Sequence, residues 1–120
     1  MAATASFRIE AVRAHAGRIF LVEKSALPAE AFPCLLEKQA MADDIVNLAQ
    51  HYGILLGRGE ERISTILPSE AVARSLGVTP GIPVTMLDRL LFMLDYGKSP
   101  VEWRVAYCDL TGSYYLSEMH

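Results

Sequence analysis

Alternation of apolar and polar positions dominates both ends of the chain. Phe7, Ile9, Ala11 and Arg13 fall on one side of an extended segment, and Arg8, Glu10, Val12 and Ala14 on the other. This period of two predicts a strand over residues 7–14. His15-Ala16-Gly17 turns the chain back into a second strand over 18–27, which Pro28 ends. A longer hairpin occupies the last third. Apolar residues fill 84–95, Tyr96-Gly97-Lys98-Ser99 makes a tight turn, and 100–109 returns, opened by Pro100 where a missing N–H is tolerated. A closing strand is expected through Ser117.

Between the hairpins the period becomes helical. Met41, Ile45, Leu48, Ala49 and Tyr52 make one apolar stripe over residues 39–52, Asp43 and Asp44 suit the first turn, and Gly53 stops the helix. Residues 61–67 read as a third strand, with Ile63 and Ile66 as candidates for burial. Pro68-Ser69 opens a short helix over 70–76, with Val72, Ala73 and Leu76 inward and Gly77 past its end. Residues 29–37, with Phe32-Pro33, are a loop or a short helical turn. The resulting order is two strands, helix, strand, helix, three strands. Tight turns call for antiparallel pairing, so the expected class is α+β, an antiparallel sheet with helices packed on one face.

Composition narrows the functions this domain can have. A chain of 120 residues is one domain with room for a core, and 52% hydrophobic residues point to a large interior, a buried interface, or both. Eleven Lys and Arg against 14 Asp and Glu, a net charge of −3, leave no basic footprint for nucleic acid. No apolar run approaches the ~18 residues that span a bilayer, and the first residues lack the charged and apolar regions of an export signal. Cys34 and Cys108 therefore read as reduced thiols of a cytoplasmic protein. Neither they nor His15, His51 and His120 have metal-ligand spacing, so no metal or cofactor is expected. Gly57-Arg58-Gly59 lacks the strand-to-helix context of a phosphate-binding loop, and no serine or cysteine sits in a nucleophile motif.

What remains are charges on apolar faces. Arg13 and Glu23 share faces with Phe7, Ile9, Ile19 and Leu21. An unpaired buried charge costs several kcal/mol, so either the two pair with each other or they face a polar ligand in a cleft. In the last hairpin Glu102, Arg104, Ala106 and Cys108 alternate with Val101, Trp103, Val105 and Tyr107. One face is apolar and the other mixed, and a mixed face is ordinarily solvated. Trp103 reads as core or interface.

The order of several segments resembles a known family. They are Glu10-Ala11-Val12-Arg13 with Gly17, Val22-Glu23-Lys24-Ser25 with Leu27-Pro28 and Phe32-Pro33, the helix ending Tyr52-Gly53-Ile54, Glu61-Arg62-Ile63, and Ala73 with Leu76-Gly77-Val78. Leu87-Asp88-Arg89, Gly97, Pro100-Val101-Glu102-Trp103 and Tyr107-Cys108-Asp109 complete the series. Together they resemble the UTRA domain, the small-molecule sensor of the HutC/FarR branch of GntR-type bacterial transcription regulators. The resemblance implies a chorismate-lyase-like fold and an effector bound between sheet and helices. It also implies a homodimer that touches DNA only through a separate winged helix-turn-helix domain, which would lie outside this sequence.

Carried onto this chain, the resemblance gives Arg13 a role at the anionic part of an effector and Glu23 a hydrogen bond to it. Asp43 falls at the start of the ligand-facing helix, Glu102 is the acid of Pro-Val-Glu, and Cys108 lies where some members place an aromatic contact. Arg104 shares the face of Glu102 and Cys108 and joins the candidates. Ala11 stands where the family has a first arginine, and Asp43 where it often has serine. Losing a cation and gaining an acid shifts the expected effector from a sugar phosphate toward a cationic, zwitterionic or weakly acidic metabolite. The rival readings are a small chorismate-lyase-like enzyme acting on an aromatic carboxylic acid, with Arg13 on the carboxylate and Glu102 as acid, and a dimeric module whose charges only pair internally.

Overall fold

The computed structural model describes residues 6–35, 45–94 and 99–110. Its elements run β1 (Ser6–His15), β2 (Arg18–Pro28), α1 (Ile45–His51), β3 (Leu56–Ile66), α2 (Glu70–Leu76), β4 (Val84–Met93) and β5 (Pro100–Cys108). The strands form one antiparallel sheet in the order β1-β2-β5-β4-β3, which is the α+β class expected. The first half of the helix predicted over 39–52, including Asp43, lies outside the described residues, as do most of the last turn and the closing strand.

Local chemistry explains the first hairpin. Ala16 and Gly17 both take positive φ, 52° and 78°, as the twist-matched two-residue turn requires. The register then aligns the strands. Ile9, Ser25, Arg104, Arg89 and Glu61 form one row across the whole sheet, and Ala11, Glu23, Ala106, Leu87 and Ile63 form the next. Because strand side chains alternate, both rows project from the same face.

Helix α1 covers one end of that face. Its Ile45 and Leu48 pack with Leu27, Phe32, Leu35 and Val101. Tyr52, just past the helix, stands edge-on to Phe32 with ring centroids 5.3 Å apart and donates its hydroxyl to the Pro33 carbonyl at 2.9 Å. A second cluster of Leu21, Leu87, Ala106 and Cys108 fills the other end of the face. Helix α2 is capped as its sequence predicts: the Ser69 hydroxyl accepts from the Val72 amide at 3.2 Å, and Gly77 closes the end at φ 70°. Its Ala71, Val72 and Ser75 face Val12, Val22 and Tyr107. These are the alternate positions of β1, β2 and β5, so α2 backs the sheet from the side opposite α1, and the two helices do not share one face as the sequence reading expected.

Three departures from the sequence expectations concern β3, Ile63 and Trp103. β3 begins five residues before the predicted start, because Leu56 to Glu60 continue the pairing with β4 across a register shift between Leu56 and Gly59. Ile63, expected to be buried, is 58% exposed. It sits on an edge strand, beyond the reach of α1's cover. Trp103 is not in the core either: it is 54% exposed, with its indole N–H donating to Asp88 at 2.7 Å.

Candidate functional site

The site begins with an irregularity in β5. Leu91 pairs with Glu102 but Phe92 pairs with Pro100, leaving Val101 as an extra residue. Two successive side chains of such a bulge can point to the same side. Val101 is accordingly buried among the α1 core, and Glu102 beside it is only 5% exposed. The bulge thus places a carboxylate at the apolar wall built by α1.

Arginines meet these buried acids from neighbouring strands. Arg89 reaches the Glu102 Oε1 with Nη2 at 2.6 Å and Nε at 3.0 Å. Glu23, 8% exposed, lies between two cations. Arg13 Nη2 donates to its Oε1 at 3.5 Å, and Arg104 Nη1 stands 3.3 Å from its Oε2. Arg104 also reaches toward Glu61 at 4.0 Å. Glu23 Oε2 and Arg104 Nε are buried without a hydrogen bond, an uncommon state for buried polar atoms.

These charges line a cleft of about 500 Å³ between the sheet and α1. Its polar wall carries Arg13, Glu23, Ser25, Arg89, Glu102 and Arg104, and its apolar wall includes Ile9, Leu27, Ile45 and Leu48. Of the sequence candidates, Arg13, Glu23, Glu102 and Arg104 come together here. Cys108 lies in the second core cluster, outside the cleft lining. Burial pushes its thiol above the ordinary 9.0; Arg104 opposes the shift while Glu23 and Glu61 add to it. Asp43 lies outside the described residues.

The mixed face of β5, expected to be solvated, is therefore the inward one. Its charges can be buried because β2, β3 and β4 each bring a partner: Glu23, Glu61 and Arg89. Arg89 and Glu61 were not among the sequence candidates. Arg89 carried a usable signal, a charge alternating with Leu87 and Leu91, the same pattern that singles out Arg13. Glu61 carried none, since its strand face is otherwise Gly59, Ile63 and Thr65. Among the described residues no group of three or more His, Cys, Asp or Glu could hold a metal ion, and no helix is long and apolar enough to cross a membrane.

The chain is thus an α+β domain with a cleft between its sheet and α1, paired charges on one wall and apolar side chains on the other. Residues 2–111 match the UTRA domain family. The fold is similar to the ligand-binding domain of a protein described as a GntR-family regulator from Bordetella bronchiseptica (TM-score 0.85, 22% identity, 100% of this chain and 78% of that one). It is also similar to the effector domain of PhnF from Mycobacterium smegmatis (0.82, 23%, 96% and 70%). A third likeness is to the C-terminal domain of the histidine utilization repressor from Pseudomonas syringae pv. tomato (0.80, 17%, 98% and 80%). The chain belongs to the UTRA domain family, the effector domain of GntR-type transcription regulators. This is a family of sensors rather than enzymes, so the lyase alternative falls away.

Proposed function

We propose that the cleft under α1 is an effector site and that a small metabolite seated there changes how a winged helix-turn-helix domain of the same regulator grips its operator. The regulator acts in the cytoplasm as a homodimer, matching the two-fold symmetry of a palindromic operator. One observation carries the reading: buried Glu23 and Glu102 and three arginines converge on a cavity of about 500 Å³ instead of closing into a solid core. Ion pairs alone rarely gain stability over apolar packing, so a maintained charged cavity is better explained by a ligand. Within it Arg13, Glu23, Glu102 and Arg104 contact the effector, joined by Arg89.

A thermal-shift screen over amino acids, amines, organic acids and sugars identifies the ligand, and calorimetric titration of Arg13→Ala places it. Arg13 is 41% exposed at its side chain, so the variant should fold. Losing one charge-assisted contact of about 1.5–3 kcal/mol weakens binding roughly tenfold or more. A variant that melts and binds as the wild type does removes Arg13 from the site.

A further inference from the structure

The face of the sheet opposite the cleft is only half covered. Helix α2 lies over Val12, Val22 and Tyr107, on β1, β2 and β5. By alternation the same face continues through Trp103 of β5 to Asp88 and Leu90 of β4 and to Glu60 and Arg62 of β3. There α2 gives way to an open groove of about 750 Å³, lined by Leu90, Pro100 and Trp103 together with Glu60, Arg62 and Asp88. Trp103 is the chain's single tryptophan. It stands half exposed, with its indole N–H fixed on Asp88. A large aromatic ring held in one orientation at the surface is a frequent anchor of protein interfaces.

The molecule itself carries a helix of matching charge. Glu70 and Arg74, one turn apart on α2, are both exposed. Leu67 and Ile82, in the segments that enter and leave α2, are exposed large apolar side chains. The salt bridges among the described residues involve none of Arg62, Glu70, Arg74 and Asp88. Helix and groove thus each present one cation and one anion that no ion pair engages. Seated in the groove of a second copy, α2 brings Arg74 to Asp88 and Glu70 to Arg62. Leu67 and Ile82 add apolar surface to that of Leu90 and Trp103. A two-fold rotation makes every contact twice and closes the assembly at two chains. The two helices then fill one layer between two sheets. Exposed ion pairs add little affinity, so burial of Trp103 holds the contact and the charges set its register.

We infer that this half-bare face is where two copies of the chain meet, the α2 of each lying in the β3–β4–β5 groove of the other. The inference rests on the proposed homodimer and adds the surface that forms it. The cleft under α1 lies on the opposite face, so the pairing leaves it accessible to an effector.

Sedimentation of the full chain over a dilution series, with Trp103 emission read on the same samples, tests it. The wild type should run as a dimer, and its emission should move to longer wavelength as dilution separates the copies. Arg74→Glu and Asp88→Arg should each raise the dissociation constant tenfold or more, since each sets like charges against one another. Mixed in equal amounts the two variants should recover the dimer, because both contacts again join opposite charges. Melting curves check the fold of each variant. Glu70→Arg and Arg62→Glu form a second such pair, which spares the Asp88 partner of Trp103 and replaces the first if Asp88→Arg fails to fold. Dimers that both pairs of variants leave intact overturn this surface and leave the homodimer standing. So do mixtures that stay monomeric, or an emission that does not follow dissociation. A wild type that is monomeric at every concentration overturns both.

Discussion

At the scale of single residues, the cleft is an arrangement of charges that are safe only in company. Glu102 is nearly sealed from water and its listener is Arg89, itself mostly covered. Removing one partner strands the other, at a cost of about 3 kcal/mol, whereas replacing both with apolar groups recovers much of the loss. Glu102→Ala should therefore shift the urea midpoint down sharply, and the double change Glu102→Leu, Arg89→Leu should bring it back toward the wild type. Equal destabilisation by the two variants would show that packing, not charge, sets the effect. Cys108 provides a second probe at this scale. Its thiol is held above 9.0, chiefly by burial, so the folded state keeps the proton more tightly than the unfolded chain. The linked stability is full below that value and is lost as pH rises from about 9 through the folded pKa. Denaturation series at neutral pH and near pH 10 should show a decline in the wild type that is smaller in Cys108→Ala. Parallel declines in both would remove Cys108 as a source.

At the scale of elements, what could be read from the chain depended on how local the cause was. Helix α2 is set by its own neighbours, and its bounds, its Ser69 cap and its Gly77 stop all appear where the sequence puts them. Ser69→Ala should accordingly cost about 1 kcal/mol, seen as a lower melting temperature with unchanged effector binding, since α2 stands on the far side of the sheet from the cleft. A loss of binding without a loss of stability would put α2 in the site. The first hairpin and β4–β5 were legible for the same reason, through alternation and turn residues. Burial was less so. Alternation defines two faces of a strand but does not say which one meets the core, and for β5 the composition favoured the apolar face. The answer depended on partners from three other strands. The bulge at Val101 was invisible too, because an extra residue is defined only against the strand beside it. Among the described residues, Arg13, Glu23, Glu102 and Arg104 nonetheless reach the cleft and Cys108 does not, because a charge among apolar neighbours needs compensation wherever the fold places it.

At the scale of the whole molecule, the distribution of charge separates sensing from DNA reading. The arginines that matter most, Arg13, Arg89 and Arg104, are spent on carboxylates inside the cleft. Arg18 and Arg58 pair with Asp109 and Glu60. With 11 basic side chains against 14 acidic ones, little positive charge is left to displace counterions from a duplex, and that displacement supplies the sequence-independent part of DNA affinity. This chain alone should therefore give a flat anisotropy titration with duplex DNA at moderate salt, in the presence or absence of effector. The same samples in sedimentation should run as the proposed homodimer. Joined to a winged helix-turn-helix domain, the sensor should make operator binding depend on effector concentration. The sign of that dependence then follows from which DNA-bound or free state holds the effector more tightly, because coupling between two sites is reciprocal. Tight, salt-sensitive DNA binding by this chain alone would assign the sheet or its edges a second, nucleic-acid role. A purely monomeric species would break the proposed link between a two-fold sensor and a palindromic operator.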